Sequence, residues 1–266
     1  MSGWARAMST GSSADRVSKA VDGFKPGLFE ARQALVTGGT SGIGAAVAEG
    51  FLALGASVLA TGVTDAEIEA AKQVPALKGA RFAKLDVRDG EAVREIVGAL
   101  PRLDHVVNCA GVIRRGQELA PEGFADVVDI NLNGSMRVCA AARPRLAERG
   151  GTIVNLASML SFFGSAAAPG YAASKGGVAR LTKSLAIAYA GEGVRVNAVA
   201  PGWIATPLTQ ALQDDPERNA QIEGQTALMR WGDPSEVASG ALFLSSPIAS
   251  FVTGSVLVID GGYSIT

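Results

Sequence analysis

Cysteine, histidine and clustered charge are all scarce in this 266-residue chain. Its two cysteines, Cys109 and Cys139, are too few for a disulfide framework and lack the spacing of zinc ligands. The one histidine, His105, precedes an apolar run, which favours a structural role over a catalytic or metal-binding one, and no metal site is predicted. The net charge is −1 and the basic residues are scattered, which argues against binding to nucleic acid or to an anionic membrane. We therefore expect a protein of the reducing cytoplasm.

Apolar residues, by contrast, make up 48% of the chain, which suits one large domain with a well-buried core. The first residues differ from the rest, because they are rich in serine, glycine and charge. They contain no apolar run typical of a secretory signal or a membrane-spanning helix. We expect residues 1–28 to be a poorly ordered N-terminal extension and residues 29–266 to form a single domain.

From Gln33 onward, short apolar runs alternate with longer helical patterns. The runs are rich in valine, as strands buried on both faces are: QALVT, SVLAT, ARFAKL, DHVVNCA, GTIVNLA, VRVNAVA and SVLVID. This alternation predicts an α/β fold, a Rossmann-like, doubly wound, seven-stranded parallel sheet with helices on both faces. Residues 203–232 break the pattern between the last two runs, and we expect them to be a functional lid or a disordered loop.

The first run leads directly into TGGTSGIG, residues 37–44, and then into an alanine-rich helical pattern. Glycines let a backbone turn sharply and approach a ligand, and a helix start offers free N–H groups to phosphate. Asp86, Ser158 and the turns NCAG (108–111) and PGWIAT (201–206) are expected at the same edge of the sheet, since ligands bind at the carboxyl ends of parallel strands. The sequence thus predicts an extended dinucleotide across this edge, with a tight turn that binds nothing as the alternative.

Tyr171 is followed four residues later by Lys175 within a helical pattern. Residues four apart lie on the same face of a helix. A free phenol has a pKa of about 10, too high for a base at neutral pH, and a neighbouring ammonium group would lower it. The spacing therefore indicates a phenol that exchanges protons beside a cation, although two polar helix residues without a catalytic role would share it.

Together these motifs resemble the short-chain dehydrogenase/reductase family over nearly the whole chain after about residue 30. The matching residues are Thr37-Gly38-x-x-x-Gly42-Ile43-Gly44, LDV at 85–87, Asn131, Ser158, Tyr171-x-x-x-Lys175 and Pro201-Gly202. Within the family, GVIRRG at 111–116, ASMLSF at 157–162 and RWGDPSE at 230–236 are similar to sugar-acid dehydrogenases that act on deoxy-gluconate-type keto acids. The resemblance implies an oxidoreductase that transfers a hydride between a nicotinamide cofactor and a secondary alcohol or ketone.

The resemblance implies a catalytic tetrad of Asn131, Ser158, Tyr171 and Lys175. Tyr171 would exchange a proton with the substrate oxygen, while Lys175 would lower the pKa of Tyr171 and bind the nicotinamide ribose. Ser158 would donate a hydrogen bond to the substrate oxygen as charge develops there. Asn131 would order a water molecule that connects Lys175 to solvent.

The resemblance also implies which residues bind the cofactor. They are Gly38, Thr40, Ser41, Gly42, Ile43, Gly44, Asp86, Val87, Asn108, Ala110, Gly111, Tyr171, Lys175, Pro201, Gly202, Ile204 and Thr206. At the end of the second strand an acidic residue would select NAD and a basic one NADP, but the chain has Gly62 and Val63 there. Because no cation is present and Ser41 stands where many NADP users have arginine or lysine, NAD is favoured over NADP. Cys109, where the family usually has asparagine, is expected to be a packing substitution and not a nucleophile.

The expected substrate is a small keto or hydroxy acid, derived from a sugar. Arg114 and Arg115 follow the fourth strand, and one of them is a candidate to bind a carboxylate, unless both form a solvated loop pair. Met159, Phe163 and Trp203 are predicted to line the substrate site as a partly apolar wall.

Two other functions remain open. A 3-oxoacyl-[acyl-carrier-protein] reductase would share all these motifs, but it would use NADPH and need a basic surface for its acidic carrier. A catalytically idle nucleotide-binding protein is the alternative from another class, and the intact Ser–Tyr–Lys set argues against it. Family members are commonly tetramers that pair helices, here those around 121–148 and 169–190, and the C-terminal strand, so the resemblance implies a homotetramer.

Overall fold

Seven parallel strands form one sheet in the computed structural model, which describes residues 20–266 of the chain. They are β1 (Gln33–Thr37), β2 (Ser57–Gly62), β3 (Arg81–Lys84), β4 (His105–Asn108), β5 (Thr152–Leu156), β6 (Arg195–Pro201) and β7 (Val256–Ile259). The strand order is β3-β2-β1-β4-β5-β6-β7. Each of the seven apolar runs in the sequence matches one strand to within two residues at either end, so the predicted fold, a single seven-stranded parallel sheet of the Rossmann-like type, is confirmed.

Nine α-helices lie within the described residues. They are α1 (Gly42–Ala53), α2 (Asp65–Lys72), α3 (Gly90–Gly98), α4 (Pro121–Val128), α5 (Gly134–Ala147), α6 (Pro169–Tyr189), α7 (Gln210–Gln213), α8 (Pro216–Gly224) and α9 (Pro234–Ser245). A π-helical turn, Asp129–Asn133, joins α4 to α5. Of the helices in residues 20–266, none combines the length and the apolar character needed to cross a membrane.

The sheet separates two hydrophobic cores. On one face α1 and α9 pack together, and a Cβ atom on Gly50 of α1 would lie only 2.6 Å from Leu242 Cδ1 of α9. Glycine at this position therefore permits the close approach of the two helices. On the other face, α3, α5 and α6 enclose a second core that contains Leu146 and Leu185. All five residues of β1 are buried, as expected for a strand that is covered on both faces.

The position of the site follows from the pairing of β1. This strand pairs with β2 on one side and with β4 on the other, so the direction of strand addition reverses there. In open α/β sheets, ligands bind in the crevice at the carboxyl ends of the strands beside such a reversal. Thr37 and Asn108, the last residues of β1 and β4, are paired at this crevice, and the two glycine-containing turns follow directly.

Residues 20–28 pack on the domain, although the sequence assigned them to a poorly ordered extension. Ala20 is buried, and its carbonyl oxygen accepts a hydrogen bond from Ser239 Oγ of α9 at 3.0 Å. Phe24 and Leu28 pack against the core on the same side. The polar composition of the whole segment obscured these apolar anchors in the sequence, and the domain boundary at residue 28 stays a prediction. Residues 1–19 of the predicted extension lie outside the described residues.

The segment 203–232 is also more regular than predicted, because it contains α7 and α8. The carboxylate of Asp215 accepts hydrogen bonds from the backbone N–H groups of Glu217 and Arg218, and Pro216 occupies the first turn of α8. Aspartate before proline and glutamate is a typical helix start, so the sequence contained the signal for this helix.

Candidate active site

The four predicted catalytic residues come from three segments at the carboxyl edge of the sheet. Tyr171 and Lys175 lie in the first two turns of α6, Ser158 follows β5, and Asn131 lies in the π-helical turn. Lys175 Nζ donates a 2.6 Å hydrogen bond to the carbonyl of Leu156, the last residue of β5, and lies 5.5 Å from the centre of the Tyr171 ring. The structure thus brings the phenol and the ammonium group together beside the end of β5.

Asn131 is buried, and its side chain is fully engaged by protein groups. Its Oδ1 accepts from the N–H of Val112 at 2.8 Å, and its Nδ2 donates to the Val112 carbonyl at 2.9 Å and to Ser174 Oγ at 3.0 Å. The amide therefore fastens the turn after β4 to α6. Its backbone carbonyl accepts a hydrogen bond from Ser135 Oγ at 2.7 Å.

Burial dominates the electrostatics of the phenol and the amine. Burial raises the pKa of Tyr171, and the charge of Glu118 raises it further, whereas a hydrogen bond from Ser158 and the charge of Arg115 lower it. Burial also lowers the pKa of Lys175 to about 8. The sequence-based expectation that Lys175 depresses the pKa of Tyr171 is therefore not met in this state, because the ammonium group is directed to the Leu156 carbonyl and not to the phenol oxygen.

Cys109 has the properties of a packing residue. Burial raises the pKa of its thiol to about 12, although the positive charge of Lys175 acts in the opposite direction. The thiol therefore stays protonated at neutral pH, which makes it a poor nucleophile.

The glycine turns fit a nicotinamide dinucleotide. Gly38 and Gly42 have φ angles of 62° and 53°, which side chains rarely allow. A Cβ atom on Gly42 would lie 3.5 Å from Thr206 Cβ, and one on Gly111 would lie 3.7 Å from Lys175 Nζ. Glycines thus line the path from the start of α1 to the amine. Ser41 makes no side-chain hydrogen bond to the first turn of α1, which leaves those N–H groups for phosphate oxygens.

Two predicted cofactor residues have side chains that already bind protein groups. Asn108 is 2% exposed, and its Nδ2 donates to Asn155 Oδ1 at 2.9 Å and to Cys139 Sγ of α5 at 3.3 Å, so the side chain is buried against α5. The Asp86 carboxylate is paired with Arg88 at 2.6 Å, and this hydrogen bond lowers the pKa of Asp86. Asp86 lies at the edge of the sheet, and Asn108 Oδ1 is a buried atom without a hydrogen-bond partner in the described residues.

A carboxylate that the sequence analysis missed lies at the end of β2. Glu67 Oε2 accepts hydrogen bonds from the N–H groups of Val63, at 2.9 Å, and Thr64, at 3.3 Å. A Cβ atom on Gly62 would be 3.2 Å from the same oxygen, so Glu67 supplies an acid where Gly62 has no side chain. Thr64 and Glu67 form a capping box at the start of α2, and the pattern Thr-x-x-Glu could have revealed it.

Of the two candidate arginines, Arg114 is in an ion pair and Arg115 is in none within residues 20–266. Arg114 Nε donates to Asp126 Oδ2 at 2.7 Å, and Asp126 also pairs with Arg88 at 2.9 Å. Arg115 takes part in no ion pair within residues 20–266, and its charge acts on Tyr171. Arg115 is therefore the arginine with a guanidinium group that remains available to a substrate.

The predicted apolar wall includes an aromatic residue that was not foreseen. Phe163 and Trp203 both meet the ring of Tyr263 edge-on, with centroids 6.3 and 6.2 Å away. Met159 is only 4% exposed, so it supports the wall from behind and offers almost no surface to a substrate. Tyr263 lies near the C-terminus, far from the other two residues in sequence, and no local pattern marks it.

The lid segment is fixed at both of its ends. Gly232 N–H donates to the Trp203 carbonyl at 2.8 Å, and Ala205 N–H donates to the Gly232 carbonyl at 2.9 Å. The rings of Trp203 and Trp231 pack edge-on at 5.9 Å beside this pair of bonds. Motion of α7 and α8 would therefore leave Trp203 in place.

Known proteins resemble the chain over almost its full length. A family model described as enoyl-(acyl carrier protein) reductase matches residues 38–264. A 2-dehydro-3-deoxy-D-gluconate 5-dehydrogenase of Pseudoalteromonas atlantica is 38% identical over 248 residues, which cover 88% of this chain and 96% of the relative. A 3-oxoacyl-[acyl-carrier-protein] reductase of Vibrio harveyi is 37% identical over 241 residues, which cover 88% of this chain and 98% of the relative.

A solved structure adds a bound cofactor to these likenesses. A protein of Agrobacterium tumefaciens, provisionally described as a 2-deoxy-D-gluconate 3-dehydrogenase and crystallised with NADP, has a TM-score of 0.82 at 37% identity. The likeness covers 91% of this chain and 100% of the other.

Proposed function

Since this chain belongs to the short-chain dehydrogenase/reductase family and is an NAD(P)-dependent oxidoreductase, we propose that it interconverts a secondary alcohol and a ketone in a sugar-derived hydroxy or keto acid. The observation that carries the proposal is Arg115, a cation without an ion-pair partner in residues 20–266 that acts on Tyr171. A guanidinium group binds a carboxylate through two parallel hydrogen bonds. Phe163, Trp203 and Tyr263 would enclose the carbon chain of the substrate under the lid segment.

In the proposed mechanism, Tyr171 donates its phenolic proton to the carbonyl oxygen during reduction and accepts a proton from the hydroxyl group during oxidation. Ser158 donates a hydrogen bond to the same substrate oxygen and stabilises the charge that develops on it. The nicotinamide, when bound, supplies or accepts the hydride. Lys175, held by the Leu156 carbonyl, would provide a donor for the nicotinamide ribose, and the hydrogen bond from Ser158 favours the phenolate of Tyr171. Asn131 keeps the turn after β4 against α6.

We propose NAD as the preferred cofactor, because Glu67 holds a carboxylate at the end of β2. A carboxylate there accepts hydrogen bonds from the ribose hydroxyls of NAD and repels the additional phosphate of NADP. Lys84 pairs with Gly62 in the strand register, but its ammonium group binds Asp65 at 2.8 Å, so its charge is already neutralised. The related Agrobacterium tumefaciens protein was crystallised with NADP. The ratio of kcat/KM for NADH and NADPH therefore tests the proposed preference of this chain.

A homotetramer in the cytoplasm is part of the proposal. Apolar side chains are exposed on the segments that family members pair: Phe124, Met136 and Ile187 on α4, α5 and α6, and Val258 on the edge strand β7. Such residues are typical of surfaces that are covered by another copy of the chain. A hydrodynamic mass of four chains is the expected result of sedimentation.

The purified protein tests the function directly. Initial rates are measured with sugar acids, neutral polyols and 3-oxoacyl thioesters, each with both nicotinamide cofactors. We expect a sugar acid to give the highest kcat/KM, and a preference for a 3-oxoacyl thioester would contradict the proposed substrate.

Tyr171→Phe tests the proposed mechanism. This variant should lose about 10³-fold in kcat, because the proton donor is removed, while cofactor binding by fluorescence titration remains measurable. Tyr189→Phe, the same change near the far end of α6, should keep its activity. Turnover by Tyr171→Phe at the wild-type rate would refute the mechanism.

A further inference from the structure

Glu118 is the most deeply buried charged side chain that the structure describes. It lies in the 3₁₀ turn Gln117–Leu119 between β4 and α4 and is 1% exposed. No ion pair within residues 20–266 includes it. Both of its carboxylate oxygens accept backbone hydrogen bonds, Oε1 from Arg114 N–H at 2.6 Å and Oε2 from Tyr171 N–H at 2.7 Å. Burying a carboxylate costs free energy unless it is hydrogen-bonded, and these two backbone N–H groups are the partners that stabilise Glu118.

One of these bonds caps the catalytic helix from a distant part of the chain. α6 begins at Pro169, and its own N-cap residue, Ala168, provides no side-chain hydrogen bond. Glu118 instead satisfies the N–H of Tyr171, in the first turn of α6, where a negative charge also interacts favourably with the helix dipole. A Cβ atom on Gly170 would lie 3.3 Å from Glu118 Oε2, so glycine at this position gives the carboxylate its space.

The other bond fixes the loop that carries the candidate substrate-binding arginine. Glu118 holds the backbone of Arg114, and the N–H of Gly116 donates to the Ala167 carbonyl at 2.7 Å, just before α6. Arg115 lies between these two anchors. The carboxylate of Glu118 therefore connects the backbone of Tyr171, the proton donor, with the backbone of Arg114, which precedes Arg115.

We propose that Glu118 is a positioning residue that fixes Arg115 relative to the Tyr171 hydroxyl, so that binding of the substrate's acid group places the reacting oxygen at the proton donor. The inference deepens the proposed function, because it rests on the roles of Arg115 and Tyr171 given there. Small displacements of a reacting group reduce rates strongly, which is why a rigid connection between the two groups matters.

The charge of Glu118 gives the proposal a second consequence. The groups that face Tyr171 are Lys175 on α6, Ser158 after β5, and Arg115 and Glu118 in the loop after β4. Among them Glu118 is an anion, and it raises the pKa of Tyr171. Oxidation of an alcohol requires the phenolate, so the rate of oxidation should rise with pH through this pKa. Without the negative charge, the same rise should occur at lower pH.

Glu118→Gln tests both consequences, because glutamine has the same shape but no charge and accepts only one of the two N–H groups. We expect KM for a sugar acid to rise about tenfold, KM for a neutral polyol of the same length to change much less, and the pH–rate profile of oxidation to move to lower pH by about one unit. Glu122→Gln, an equivalent change in the exposed first turn of α4, is the matched control and should show none of these effects.

A purely structural role predicts a different result. If Glu118→Gln lowers the melting temperature but leaves the acid-to-polyol KM ratio and the pH profile unchanged, the inference is wrong. Should the glutamine variant fail to fold, Glu118→Asp keeps the charge on a shorter side chain, and it should raise KM for the acid without moving the pH profile. The pH profile is measured with whichever substrate the wild type oxidises, so failure of the sugar-acid proposal does not decide the role of Glu118.

Discussion

Among single residues, two neighbouring arginines have different capacities for binding a substrate. Arg114 is neutralised by Asp126, which also pairs with Arg88, and these side chains are partly exposed. Arg115 retains its full charge beside the phenol, and its pull on the pKa of Tyr171 is opposed by Glu118. Arg115 would therefore both bind the substrate carboxylate and favour the phenolate of Tyr171. When an acidic substrate neutralises Arg115, the pKa of Tyr171 should rise.

Arg115→Ala should raise KM for a sugar acid by about 10- to 100-fold, because charge-assisted hydrogen bonds contribute about 1.5–3 kcal/mol. KM for a neutral polyol should stay within about twofold, since that substrate has no carboxylate to lose. Arg114→Ala should have a smaller effect on the acid, because Arg114 is already paired. Initial-rate kinetics with the two substrates make the comparison, and equal increases for both would show that Arg115 does not bind the acid group.

Glu67→Gln should shift the cofactor preference towards NADPH by about tenfold, which corresponds to about 1.4 kcal/mol of removed repulsion. The physical reason is the loss of a negative charge where the additional phosphate would lie. Glu69→Gln is the matched control, because Glu69 lies in the same helix and pairs with Lys72. The ratio of kcat/KM for the two cofactors is the measurement, and an unchanged ratio in Glu67→Gln would exclude this carboxylate as the selective group.

Residues of the site differ in how far the sequence could predict them. The Tyr171–Lys175 pair is set by helix periodicity, and the glycine turn by its place after the first strand, so both were predictable from local sequence. Glu118 binds two backbone N–H groups, and one of them, on Tyr171, is 53 residues away, a contact that only the folded chain creates. The contact between Tyr263 and Phe163 likewise joins residues that are distant in the sequence, so only the folded chain creates it.

At the scale of elements, Asp104 joins the starts of β1 and β4. Its carboxylate accepts hydrogen bonds from the N–H of Gln33, at 2.9 Å, and from Arg32 and Arg102. Burial raises the pKa of Asp104, but the hydrogen bonds from Arg102, Gln33 and Arg32 outweigh burial and lower the pKa to about 2. The folded state therefore favours the ionised carboxylate, which stabilises the pairing of the two central strands.

Asp104→Asn should reduce the free energy of unfolding at pH 7 by about 2–3 kcal/mol. Because the folded pKa is lower than the unfolded one, this contribution is complete above about pH 4 and disappears as the pH falls towards 2. Urea unfolding at pH 7, 4 and 3 should therefore show a shrinking difference from the wild type. Asp65→Asn, which removes an exposed ion pair with Lys84, should cost less than about 1 kcal/mol.

The elements themselves were largely predictable, because strands buried on both faces are continuously apolar and short. The predicted runs and the observed strands differ by at most two residues at either end, as in DHVVNCA around β4. The lid was harder, because α8 is polar and its start signal, Asp215-Pro216, stands in a stretch without apolar periodicity. Helix formation there depends on local capping and on one buried side chain, Ile222.

Over the whole molecule, the N-terminal segment, the sheet and α1 meet around the single histidine. Phe29 and Phe51 pack on the His105 ring, with centroids 5.0 and 5.5 Å away, and Nδ1 lies 2.8 Å from Thr152 Oγ1. Burial lowers the pKa of His105 to about 3, with a smaller opposing effect from Asp104. The ring is therefore neutral in the folded protein over the physiological range.

This burial should make the protein sensitive to mild acid. Below about pH 6.5 the unfolded chain binds a proton at His105 that the folded chain does not, so stability is complete above that pH and falls by about 1.4 kcal/mol per unit below it. The imidazole Hε1 signal, which is one resonance because the chain has one histidine, should not shift between pH 8 and 5 in the folded protein. His105→Phe keeps an aromatic ring but no titrating group, so its unfolding free energy should depend less on pH between 7 and 5. A resonance that titrates near pH 6.5 in the folded protein would show that the histidine is accessible to solvent protons.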